Sequence, residues 1–257
     1  MKKVQELYYR WPYPEPIEDL NLFFETHSIS EDLSHAKGWS TAFPRQKREA
    51  LEVLIAGCGS FQAAAFAQKN PECRVVGIDL SETSLELTNR LRTKHRIRNL
   101  ELRQMSLLDI GDLNLQFDYI VSTGVLHHLE NPQQGLAALS EVLRQNGVIS
   151  MMLYGKTLRV AVYWIQAVVK QLELDSTKVS DVDLVIDLVR SLPKRHPIHP
   201  YLKAAEELAK YRGAVVDTFF HPCDRAYLVP ELFDLILSCG LKFRGFLDNG
   251  KYHVDRV

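Results

Sequence analysis

Between residues 50 and 155 the apolar positions switch repeatedly between a short β-rich pattern and a helical one. The β-rich runs are "LEVLIAG", "CRVVGIDL", "LELRQMS", "FDYIVST" and "GVISMMLYG"; between them, "FQAAAFAQKN", "SETSLELTNRLRTKHRIR" and residues 131–144 have helical spacing. Strands alternating with helices read as βαβ units, and their crossovers predict an α/β fold built on a doubly wound, mostly parallel sheet. Outside this span the pattern changes. Residues 1–49 are rich in proline, aromatic and polar positions ("YYRWPYPEPIEDL"), which predicts an N-terminal arm folded over the core as a lid. Residues 156–212 read as a helical insertion, with "TLRVAVYWIQAVVKQLEL" and "DVDLVIDLVRSL" as helices and "PKRHPIHPYLKAAEELAKYRG" as a proline-broken connector leading into another. In residues 213–257, "VPELFDLILSCG" is an amphipathic helix stopped at Gly240 and "LKFRGFLD" alternates as a strand, so this segment is expected to complete the sheet.

Composition narrows the class. At 257 residues and 46% hydrophobic, the chain can fill a sizeable core. A formal net charge of −1 supplies no basic footprint for a phosphate backbone, which argues against a nucleic-acid partner. The four cysteines, Cys58, Cys73, Cys223 and Cys239, show no C-x-x-C spacing, so neither a zinc site nor a disulfide framework is indicated. "MKKVQELYYRWPYPEP" lacks the apolar core of a signal peptide. The longest apolar run, from Val160 to Val169, is about half of what spans a bilayer. A cytoplasmic location is the expectation, with peripheral membrane contact left open and the oligomeric state unassigned.

The chemistry concentrates at strand ends. "VLIAGCGSFQ" puts Gly57 and Gly59 where the first strand gives way to the first helix, at the sheet edge where ligands bind in such folds. Twenty residues after Gly59, Asp79 ends the second strand, where a carboxylate can accept hydrogen bonds from both hydroxyls of an adenosine ribose. Together they specify a nucleoside pocket. Gln62 stands where the dinucleotide fingerprint needs its third glycine, so NAD is the lesser choice.

The runs "VLIAGCGSFQ", "VVGIDLS", "QMSLLDI", "FDYIVSTGVLHHLENP" and "VLRQNGVISMMLYG" together resemble the class I S-adenosylmethionine-dependent methyltransferases, in order and spacing. A subset of that family is similar further on, through "GVLHHL", "WPYPEP" and "FFHPCDRAYLVPEL". The resemblance implies a Rossmann-like sheet and S-adenosyl-L-methionine as methyl donor. It implies that Gly57, Cys58 and Gly59 line the methionine and ribose, that Asp79 holds the ribose with Leu80 beside the adenine, and that Ser106 and Leu107 cap the adenine. Thr123, Gly124 and His127 would then lie near the donor methyl group. Ile55, Phe61 and Ser106 depart from the common pattern of an acidic residue, a glycine and an aspartate, which removes polar contacts to the donor.

The adjacent histidines of "GVLHHL" point about 100° apart on a helix, so no metal site is expected of them. His127 reads equally as a residue bordering the donor pocket and as a packing residue of the turn, and His128 as a packing residue directed toward solvent or the neighbouring helix. "RHPIHP" reads as an exposed connector, and "RLRTKHRIR" as the solvated end of a helix. For the acceptor, the remaining segments are the candidates: His221, Asp224, Arg225 and Tyr227 of "HPCDRAY", the arm around Tyr13, and the helix from Leu158 to Gln171. His221 or Tyr227 would accept a proton, and the apolar "VAVYWI" face would suit a small aromatic or lipid-like acceptor. The competing structural reading pairs Asp224 with Arg225 and packs Tyr227 under the helix from Val229. Other functional readings are methylation of a protein side chain, a nucleoside-binding regulator without turnover, and an NAD-dependent oxidoreductase.

Overall fold

The computed structural model describes residues 2–28, 33, 50–205, 208 and 211–247. Its centre is a parallel sheet of β1 (Glu52–Ala56), β2 (Arg74–Asp79), β3 (Leu100–Gln104), β4 (Phe117–Thr123) and β5 (Leu143–Met152), in the order β3-β2-β1-β4-β5. The strands are laid down outward to one side from β1 to β3 and to the other side from β4 to β5, so the order of addition reverses between β1 and β4, the topological switch point at which such sheets bind ligands. This is the doubly wound fold that the periodicity predicts.

The middle strands are apolar on both sides because helices cover both faces. Val53 and Ile55 of β1 pack with Phe66 and Tyr119 on one face, while Leu54 and Ala56 join Ile120, Leu136 and Leu139 on the other. Helix α3 (Gln62–Lys69) approaches β2 closely through its alanines. A Cβ on Gly77 would lie 2.9 Å from Ala63 Cβ and 3.0 Å from Leu102 Cδ2, so a side chain there would push helix and sheet apart. Helix α4 (Glu82–Lys94) starts where the Ser81 hydroxyl accepts the Ser84 N–H, and α5 (Pro132–Glu141) where Asn131 accepts two N–H groups ahead of Pro132.

On the N-terminal side, α1 (Lys2–Arg10) and α2 (Leu20–Thr26) flank an extended segment that lies across the glycine turn, with the Ser60 hydroxyl donating to the Pro14 carbonyl at 2.7 Å. The rest of the expected arm, 29–32 and 34–49, lies outside the described residues. Helices α6 (Lys156–Gln171), α7 (Val179–Ser191), α8 (Ile198–Ala204) and α9 (Arg212–Phe219) form a helical unit around Val162, Ile165, Val182, Val185, Val216 and Phe219. Helix α10 (Val229–Ser238) ends before Gly240, which has a φ of +70°.

Two boundaries differ from the sequence reading. Strand β5 begins at Leu143, where a helix was expected, because "Asn-Gly" serves as a bulge within the strand: Asn146 takes a φ of +70° and the pairing with β4 shifts register there. The strand expected in "LKFRGFLD" does not form over Leu241–Leu247. Phe243 instead folds onto Phe233 of α10 and onto Phe246, both at 4.9 Å, which forbids the alternation a strand needs. Residues 248–257, the end of the segment expected to complete the sheet, lie outside the described residues. Among the described residues no helix is long and apolar enough to cross a membrane.

Candidate functional site

A cavity of about 1060 Å³ opens at the carboxyl ends of β1, β2 and β4. One end is made of backbone turns. Gly57 and Gly59 adopt φ of +74° and +55°, and a Cβ on them would meet Val125 Cγ2 at 2.2 Å and Pro14 Cδ at 2.9 Å. Glycine is therefore required by conformation and by space. Asp79 stands across from this turn, accepting the Gly59 N–H and the Ser81 N–H, each at 2.8 Å. Burial raises its pKa, against the lowering effect of those N–H groups.

Cys58, Leu80, Ser106, Leu107, Thr123 and Gly124 all line the same cavity. The Cys58 thiol is fully buried, and burial pushes its pKa up, so it is an apolar wall rather than a nucleophile. Ser106 caps a 3₁₀ turn, Leu107–Leu113, by accepting the Leu108 N–H at 3.1 Å, which turns Leu107 toward the ligand space. These residues fit an adenosine-bearing ligand: a carboxylate at ribose position, apolar side chains for a base, and a glycine turn that admits a backbone-close tail.

The other end is aromatic and ionic. Tyr8, Tyr13, Tyr154, Tyr201 and His128 line it. Behind them lies Asp217, 2% exposed, which accepts the Tyr8 hydroxyl at 2.6 Å, with the Tyr154 hydroxyl at 3.5 Å and His128 Nε2 at 4.0 Å. Burial holds the Asp217 carboxyl above its ordinary range. Arg159, 1% exposed, pairs with Asp224, donates to the Tyr201 hydroxyl at 2.8 Å and stacks 3.8 Å over the Tyr154 ring. Gln166 completes the pair's surroundings, donating to Asp224 at 3.0 Å.

The residues singled out for the acceptor side are distributed differently. His128, expected to face away, lines the cavity. His127 is fully buried behind it, its ring 3.9 Å from that of Tyr154, and burial drives its pKa far down. Both histidines belong to a 3₁₀ turn, Leu126–His128, in which adjacent side chains stand about 120° apart. His221 stacks on His128 at 3.8 Å behind the cavity wall, its pKa pushed down to about 2 by burial. Tyr227 lies in the core cluster with Leu235 and Ile236 of α10, and its backbone bridges Tyr154 and Lys156. Asp224 binds Arg159, not Arg225, whose guanidinium sits 4.9 Å over the Tyr227 ring. Of the long helix, Leu158 reaches the cavity; Val162 and Ile165 belong to the helical unit's own core.

His128, Asp217 and His221 bring ligand atoms within 4.8 Å of one another. The hydrogen bonds oppose coordination: His221 Nδ1 accepts the Cys223 N–H at 3.1 Å, which leaves the proton of the neutral ring on Nε2. Sequence reasoning missed Tyr8, Tyr154, Arg159 and Asp217. The available signal was a lone aspartate inside the apolar run "AVVDTFF", which a buried helix carries only with partners.

Residues 54–149, from β1 into β5, match a family model described as a methyltransferase domain. An uncharacterized protein of Synechococcus sp. is 29% identical over 212 residues, covering 80% of this chain and 50% of its own length. Trans-aconitate 2-methyltransferase of Deinococcus radiodurans is 32% identical over 106 residues, 41% of this chain and 38% of its own. The structure of PKMT2 from Rickettsia typhi aligns over 85% of this chain and 44% of that one, with a TM-score of 0.64 and 21% identity. The same protein in complex with AdoHcy aligns with a TM-score of 0.59 and 20% identity, over 81% of this chain and 44% of that one. The chain spans about half the length of the curated relatives it matches.

Proposed function

We propose that the chain is an S-adenosylmethionine-dependent methyltransferase acting on a small acceptor with an aromatic or hydrophobic body. The observation that carries this reading is the cavity at the switch point, which runs from Asp79 past the Gly57–Gly59 turn to Thr123 and Gly124 within a matched methyltransferase domain. Asp79 and Leu80 would hold the adenosine, with Ser106 and Leu107 over the base and the glycine turn along the methionine. When bound, the donor supplies a methyl group already activated by its sulfonium charge. The protein's own contribution is alignment and exclusion of water, which can provide much of the rate without a conspicuous catalytic dyad. A cavity of about 1060 Å³ is at the upper end of what one drug-sized ligand uses, leaving room for an acceptor beside the donor. The tyrosines at its far end suit a ring or apolar body stacked against them.

The test is calorimetry with S-adenosylhomocysteine and, separately, NAD, followed by transfer of a tritiated methyl group to a panel of phenols and amines. S-adenosylhomocysteine should bind and NAD should not; at a hundredfold its dissociation constant the ligand should add about 2.7 kcal/mol of stability. Absence of heat with S-adenosylhomocysteine, or tighter binding of NAD, would overturn the assignment.

A further inference from the structure

We infer that Tyr8 and Asp217 form the proton-accepting dyad for the acceptor, with Tyr8 touching the nucleophile as a catalytic residue and Asp217 taking up the proton behind it. The inference rests on the methyl-transfer reading and deepens it, because it requires an acceptor methylated at an atom that carries a proton: an amine nitrogen or a hydroxyl oxygen. The geometry is specific. The Tyr8 hydroxyl has one proton, and that proton is committed to Asp217 Oδ1 at 2.6 Å. Its remaining lone pairs can only accept, and Tyr8 lines the cavity. The wall therefore presents a hydrogen-bond acceptor, backed by a carboxylate that is 2% exposed.

As the new bond to the methyl carbon forms and the bond from that carbon to sulfur breaks, the nucleophile's proton passes to Tyr8 Oη. The tyrosine's own proton moves to Asp217 Oδ1 in the same event. One positive charge disappears at sulfur and one negative charge at Asp217, so opposite charges are extinguished together in a poorly solvated space, which favours the forward direction. Asp217 returns its proton to solvent when the products leave. The burial that raises the Asp217 pKa makes it a better proton acceptor than a surface carboxylate. Every element around it contributes a titratable or charged group: Tyr8 from α1, His128 from the 3₁₀ turn, Tyr154 after β5, Arg159 from α6, Tyr201 from α8 and Asp224 beyond α9.

Sinefungin tests this without an identified acceptor, because it carries an amino group where the donor has its methyl-bearing sulfonium. The wild-type protein should bind sinefungin about tenfold or more tightly than S-adenosylhomocysteine, the worth of one charged hydrogen bond. Tyr8→Phe and, separately, Asp217→Asn should remove that preference while leaving affinity for S-adenosylhomocysteine within about threefold. A merely structural role would weaken both ligands alike, so equal losses overturn the dyad, as does a preference that survives in both variants or is missing from the wild type. Circular dichroism of each variant identifies a folding failure, and the second variant then decides. Failure of the wild type to bind S-adenosylhomocysteine at all would instead remove the methyl-transfer reading beneath it.

Discussion

The two ends of the cavity are built by different means. The end with Asp79 is made mainly by one stretch of about a hundred residues, over which the arm lays Pro14; each strand delivers its functional group at its own carboxyl end and the backbone supplies much of the surface. The end with Asp217 is made by side chains drawn from opposite parts of the chain: Tyr8 and Asp217 are 209 residues apart, and the Tyr211 hydroxyl reaches the Pro12 carbonyl across 199. A site of the first kind follows from topology. One of the second kind depends on how a helical unit docks against the arm, so it can change its chemistry while the sheet stays as it is.

The largest effect should come from breaking the buried ion pair at the second end. Arg159→Met leaves Asp224, 2% exposed at its side chain, without its cation, and should cost about 3–5 kcal/mol in urea unfolding. Arg212→Ala, which breaks an exposed pair with Asp183, should leave the urea midpoint nearly unchanged. Equal losses would mean that the Arg159 cluster is not dry.

Acid should act next, through the buried histidines of the second end. His127 and His221 have pKa values depressed in the folded state, so the stability they allow is complete above the unfolded value near 6.5 and falls as pH drops below it. Each should contribute a loss of about 1.4 kcal/mol per pH unit between roughly pH 6 and 5. Asp217, with its raised pKa, acts in the opposite direction: the folded state holds its proton more tightly, so its contribution falls as pH rises from about 4. His221→Gln should therefore flatten the stability profile between pH 6.5 and 5; an unchanged slope in thermal melts would show that the ring is protonated in the native state.

How much of this was legible follows from the same contrast. The five strands of the sheet and the places of Gly57, Gly59 and Asp79 at strand ends were readable because each signal is local: an apolar run, a glycine pair, an acid at a strand end. The choice between His127 and His128 was not, because it depends on how one short 3₁₀ turn is set against the cavity, which two identical adjacent side chains do not announce. Tyr8 and Asp217 were invisible as a pair, since nothing in "ELYYRW" or "AVVDTFF" names its partner. The strand expected in "LKFRGFLD" failed for a related reason: its alternating pattern was met equally well by aromatic packing onto α10.

The most direct measurement is a calorimetric titration of S-adenosylhomocysteine into the wild type, Asp79→Ala and Asp217→Asn under one set of conditions. The expected result is binding by the wild type, a loss of about 1.5–3 kcal/mol in Asp79→Ala with the melting profile nearly unchanged, and Asp217→Asn close to the wild type. Equal affinity in the wild type and Asp79→Ala would contradict a donor held at the end of β2, and with it the division of the cavity into a donor end and an acceptor end.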